Sequence, residues 1–199
     1  MPISFAVYQM RHALEHDLIT SIYTSINDPD AFCSGYVEQV NERYVLLAAL
    51  TPWGYRDGWL LWRVENIHQV VTGTEYEIRL EQLVKLNEQE HAPLMQEHGQ
   101  PEADLAHGLL DWAQREKRTV SILTAEETHT GRIVAMDDLQ VSMEAFDFFG
   151  RVIHQPVIVL MRDVETVTVD TEEERMYDKL YASSETYDLK PELSQNNKE

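Results

Sequence analysis

The chain is short of cysteine, of glycine and of positive charge. Its single cysteine, Cys33, rules out an internal disulfide and points to a reducing compartment, the cytoplasm. Only 16 Lys and Arg stand against 35 Asp and Glu, a formal charge of −19, and acids outnumber bases in both halves. Nucleic-acid binders need clustered cations to displace counterions from phosphates. The nearest cluster, Arg115-Glu116-Lys117-Arg118, is interrupted by a carboxylate, so charge speaks against nucleic acid as a partner. The 8 glycines form no phosphate-cradling Gly-x-x-x-x-Gly-Lys loop, and Gly-x-Ser-x-Gly is missing too, so no cofactor and no catalytic residue is expected. No apolar run approaches the roughly 20 residues that cross a bilayer, which excludes a membrane-spanning helix. The start, Met1-Pro2-Ile3-Ser4-Phe5, lacks the basic-then-apolar order of a secretory signal.

What is present is an apolar share of 43% over 199 residues, enough to build a core in one domain or two small ones. Self-similarity decides between them. Residues 35–54 align without gaps to 131–150, with Gly35/Gly131, Val45/Val141, Ala49/Ala145 and Gly54/Gly150 identical. One inserted residue later, 64–83 aligns with 161–180, matching Val70/Val167, Thr74/Thr171, Glu75/Glu172, Glu77/Glu174 and Leu83/Leu180. Upstream, Ser21-Ile22-Tyr23-Thr24 matches Ser121-Ile122-Leu123-Thr124. The order of these matches predicts an internal duplication: a first repeat over 1–90, a linker over 91–101, a second repeat over 102–182, and a disordered polar tail over 183–199.

Each repeat shows the same local signals. Val7, Met10, Leu14 and Leu18, and after Pro101 Leu105, Leu109, Leu110 and Ala113, recur at helical spacing. Leu139, Val141, Met143 and Ala145 alternate with polar residues, as in a half-buried strand. The runs Trp59-Leu60-Leu61-Trp62 and Val157-Ile158-Val159-Leu160-Met161 predict strands buried on both faces, and each ends at a polar pair, Glu65-Asn66 or Arg162-Asp163. A final strand follows, over 67–71 or 164–169. Gly35 and Gly131 sit early in the second strand, where glycine marks a bulge or sharp bend. Thr74-Glu75-Tyr76-Glu77 and Thr171-Glu172-Glu173-Glu174 fit a capping box, predicting a closing helix in both repeats.

A helix, about five short strands with a glycine in the second, and a polar bend before the last: this pattern resembles the small barrel of the Sm-like family. That family pairs an Asp-x-x-Asn-type turn with an Arg-Gly turn, which together form the uridine pocket of its RNA-binding members. Here Asp138-Leu139-Gln140 and Asn41-Glu42-Arg43-Tyr44 stand at the first position, and Glu65-Asn66 and Arg162-Asp163 replace Arg-Gly. The resemblance therefore implies a fold: mainly β with accessory helices, as two tandem Sm-like or SH3-like five-stranded barrels.

Candidate chemistry is sparse. His12 and His16 lie four apart with Glu15 and Asp17 nearby, a spacing able to chelate a divalent metal, but not the His-Glu-x-x-His of metalloproteases. His91, His98 and His107 follow no ligand spacing, and Cys33 has no basic neighbour to activate it. The aromatic group Trp53, Tyr55, Trp59 and Trp62, around Gly54 and Gly58, supplies the candidate partner-binding residues. The leading expectation is a non-enzymatic cytoplasmic interaction or assembly module that binds an unidentified protein partner, with homo-oligomers possible through open barrel edges. An RNA-binding Sm-like protein is the alternative, and a metal-dependent enzyme using the helix histidines the third.

Overall fold

The computed structural model describes residues 4–25, 28, 31–89, 91, 104–153 and 155–186. Ser4 starts the first helix, α1 (Phe5–Glu15), its side chain accepting from the Val7 amide. Four strands follow: β1 (Ile19–Tyr23), β2 (Phe32–Val40), β3 (Tyr44–Leu50) and β4 (Arg56–Arg63). A single 3-10 turn, Val64–Asn66, breaks the chain before β5 (Gln69–Thr72), and α2 (Glu75–Leu86) closes the first half. The second half repeats this order as α3 (Leu105–Arg115), β6 (Thr119–Leu123), β7 (Thr128–Met136), β8 (Gln140–Ala145), β9 (Val157–Leu160), a 3-10 turn Met161–Asp163, β10 (Thr166–Val169) and α4 (Glu172–Thr186). The protein is thus mainly β, with accessory helices.

All ten strands join one open antiparallel sheet in the order β5-β1-β2-β3-β4-β10-β6-β7-β8-β9. Each half contributes five strands in the same relative order, and the seam between them is the β4–β10 ladder, pairing Leu61 with Val167 and Trp59 with Val169. Gly35 pairs with Ala49 and Gly131 with Ala145. A Cβ at Gly35 would lie 2.1 Å from the Ala48 carbonyl oxygen, and one at Gly131 would lie 2.2 Å from that of Glu144, so only glycine permits these strands to approach. Two residues later both strands bulge, between Val37 and Gln39 and between Ile133 and Ala135.

Two apolar clusters hold the sheet. One lies under α1, with Val7, Met10 and Ala13 against Val37, Leu47 and Trp62. The other runs across the seam and under α3, joining Leu46, Trp59 and Leu61 to Leu109, Trp112 and Val167. Helix α3 bridges the halves, touching β3 of the first and β7 of the second, and Trp112 meets Trp59 edge to face at 5.3 Å.

The capping boxes do more than start a helix. Both Glu77 and Glu174 are buried between the closing helix and the sheet. Glu77 accepts from Ser21 Oγ at 2.6 Å and from the Thr74 amide at 2.9 Å. Glu174 accepts from Ser121 Oγ at 2.7 Å, Thr168 Oγ1 at 2.6 Å and the Thr171 amide at 3.0 Å. Since each serine hydroxyl donates to its glutamate, Ser34 and Thr130 must donate to the serines, at 2.8 and 2.9 Å. Hydroxyl and amide donors thus let two carboxylates sit inside a fold where bare charge would be costly.

Four expectations need correction. Leu14 is exposed and Leu18 falls beyond α1, because the turn at Asp17 ends the helix; Ala13 takes the core position instead. Leu139 belongs to the turn before β8 and is exposed. The run over 157–161 is not covered on both faces: Ile158 and Leu160 are exposed, because among the described residues β9 is the edge strand, with only β8 beside it. Finally, α4 continues through Thr186, taking in the first residues assigned to the tail. The rest of that tail, and the linker apart from His91, lie outside the described residues.

Candidate functional site

The loop from β3 to β4 carries Trp53 and Tyr55, and both are exposed. It is not loose. The Asn87 side chain at the end of α2 donates to the Trp53 carbonyl at 2.7 Å, and the Gly54 amide donates to the Thr51 carbonyl at 2.9 Å. Gly54 has φ +78° and presses on Leu83 of α2, where a Cβ would come within 2.8 Å.

The β8–β9 loop matches it. Gly150 presses on Leu180 of α4, and Phe148 and Phe149 stand exposed, edge to face at 5.6 Å. Asp147 organises this tip. Its carboxylate accepts from the Phe149 and Arg151 amides, each at 2.9 Å, while the Arg151 guanidinium lies 5.2 Å from the Phe149 ring centre. Hydrogen bonding from the Arg151 backbone, then from its side chain and the Phe149 amide, holds the Asp147 carboxyl below its ordinary range against the opposing effect of desolvation.

The other two expected contact aromatics are elsewhere. Trp59 and Trp62 are buried, on opposite faces of β4: Trp59 in the seam cluster and Trp62 beneath α1. Strand alternation places them there, and both faces of β4 are covered, so they serve packing.

His12, Glu15 and His16 come together at the end of α1, one ligand atom of each lying within 4.8 Å of the others. Glu15 thus supplies the third donor that spacing alone did not single out, though all three side chains are exposed. Cys33 is half-buried, and burial, then the negative charge of Asp57, pushes its thiol pKa up, away from the nucleophilic form.

A polar cluster that sequence spacing did not reveal surrounds His91. Its ring stacks on Tyr36 at 4.4 Å, and Nδ1 lies 2.8 Å from Asp17 Oδ1. Nε2 lies 3.7 Å from Glu38 Oε1, an ionic contact too long for a hydrogen bond, and Glu38 also accepts from Trp59 Nε1 at 3.0 Å. Burial alone pulls the His91 pKa down, but the Glu38 and Asp17 carboxylates outweigh it and hold the pKa above its ordinary value. Tyr36 is pushed up to about 12, first by burial and then by Asp17 and Glu81.

The turns before β3 and β8 are spent on backbone. Asn41 Oδ1 accepts from the Arg43 and Tyr44 amides at 2.8 and 2.7 Å, and Asp137 Oδ1 accepts from Leu139 and Gln140 at 2.8 and 2.9 Å. A cleft of about 300 Å³ opens between Arg43, Asp104, Asp138 and Arg162, where carboxylates balance the guanidiniums and Arg43 sits 3.6 Å from Asp104. Among the described residues, no helix is long and apolar enough to cross a membrane. Comparison with known protein families, curated proteins and solved structures gave no match.

Proposed function

We propose that the chain is a non-enzymatic protein-interaction or assembly module of the cytoplasm, built from two small five-stranded barrel units of the Sm-like type in tandem. Support for two units comes from the repeated strand order, the equivalent glycines and bulges, and the duplicated buried glutamates. The observation that carries the functional reading is the pair of exposed aromatic tips, Trp53 with Tyr55 and Phe148 with Phe149, each braced by its own hydrogen bonds. Large aromatics held in one geometry lose little entropy on binding, which is what an anchor residue needs. The surplus of acids favours a protein over a phosphate-bearing partner.

Affinity capture from the native cytosol with the full chain as bait tests this reading. Changing Trp53 and Tyr55 together to Ala, and separately Phe148 and Phe149, should weaken capture of a specific partner by at least about tenfold, the loss of a modest hot spot. An unchanged set of captured proteins with both variants would contradict it.

A further inference from the structure

Helix α1 ends in a turn that gathers two imidazoles and a carboxylate on its exposed side. Going beyond the interaction-module reading and independent of it, we infer that His12, Glu15 and His16 form a surface site for a divalent transition ion of the zinc type.

The backbone dictates the grouping. Positions 12, 15 and 16 are spaced i, i+3 and i+4, so an α-helix sets all three on one face. Met10 and Ala13 are wholly buried against the core, while the three donors stand in solvent. The two rings already lie side by side, their centres 4.4 Å apart and their planes inclined at 66°. One ligand atom from each residue lies within 4.8 Å of the other two. A tetrahedral ion about 2.0 Å from each donor keeps the donors roughly 3.3 Å apart, so the cluster must close by about 1.5 Å, which side-chain rotation supplies.

Helix ends normally fray, which would scatter such donors. This one is pinned. The Leu18 amide donates to the Ala13 carbonyl at 2.9 Å, and the His16 amide to that of His12 at 3.2 Å. Asp17, at φ +51°, turns the chain out of the helix and meets His91 Nδ1 at 2.8 Å. Asp17 is thereby committed elsewhere, and the three donors belong to one preformed turn, so an ion has little to order.

Electrostatics agree from two separate sources. The carbonyl end of a helix carries partial negative charge and favours a cation. The chain as a whole carries −19, which draws cations to its surface. The donor set then chooses among them. Two imidazoles with one carboxylate suit zinc, copper(II) or nickel, whereas calcium and magnesium ask for oxygen donors throughout. Three protein ligands leave a further position to water. Exposure lets solvent reach the ion freely, so the inference is of binding, with no reaction attached.

Calorimetric titration of the full chain with zinc chloride, after chelator treatment and dialysis, tests this. One zinc ion should bind per chain, and a large excess of calcium should not displace it. His12→Ala and His16→Ala should each weaken binding by at least about tenfold, and Glu15→Gln, which removes the charge and keeps the size, by about threefold. All three side chains are exposed, so the variants should keep the wild-type circular dichroism spectrum. His68→Ala, which changes an exposed histidine just before β5, should bind zinc as the wild type does. Zinc should raise the melting temperature of the wild type and leave that of the paired His12→Ala, His16→Ala variant where it is. A readout free of any variant is the wild-type proton spectrum, in which one equivalent of zinc should shift the His12 and His16 ring signals together. No zinc binding, binding undiminished in the paired variant or by Glu15→Gln, displacement by calcium, or shifts confined to other histidines would each overturn the site.

Discussion

A buried carboxylate is normally a liability, yet the protein keeps one under the closing helix of each half. Glu77 and Glu174 are tolerated because serine and threonine hydroxyls and one helix-start amide converge on each. Removing the acceptor would strand several buried donors at once. Glu174→Ala should therefore lower stability in urea unfolding by about 3 kcal/mol, the sum of a few unmade hydrogen bonds. Its neighbour Glu172 is exposed, and Glu172→Ala should change stability by no more than about 0.5 kcal/mol. Equal effects of the two substitutions would show that the buried network carries no stability. The capping pattern Thr-Glu-x-Glu was legible in the sequence, but the second service of its last glutamate was not. That service depends on Ser21, Ser121 and Thr168 facing the helix, and strand register places them there.

Elements form where local pattern and burial agree, and mislead where a neighbour is missing. Helix α3 follows its apolar spacing because the sheet covers that whole stripe. Strand β9 carries the same kind of apolar run as β4 and is buried on one face only, since among the described residues it is the last strand of the sheet. Periodicity reports what a residue prefers and is silent on which strand lies at an edge. Tyr76, Ile78 and Leu80 alternate like a strand, yet α2 is a helix because the capping box and the Leu80 and Val84 stripe prevail. The His91 contact, where the chain leaves α2, gave no signal in the sequence at all. It joins residue 91 to the end of α1 through Asp17 and to β2 through Glu38 and Tyr36. Because the folded pKa of His91 is raised, protonation favours the folded state. The stabilisation is complete below the ordinary histidine value near 6.5 and is lost as pH climbs through the raised folded pKa. Thermal stability should accordingly fall over the pH units just above 6.5, and His91→Ala should flatten that slope. A slope unchanged by His91→Ala would contradict it.

At the scale of the whole molecule, the order of matched segments led to the expectation of two repeats, and the strands of each half run in the same relative order in the sheet. It did not foretell that the halves would run on as one sheet, because a β4–β10 ladder is a contact between segments about a hundred residues apart with no mark in either alone. Of the four aromatics singled out, Trp53 and Tyr55 reach the surface and Trp59 and Trp62 do not, a division set by the covering of β4 on both faces. The seam shows how one half grips the other. Amide hydrogen exchange tests this most directly. Strands β4 and β10 should be strongly protected, while β5 and β9 exchange faster as the outer strands of the sheet. A seam that exchanges as freely as the outer strands would contradict the account.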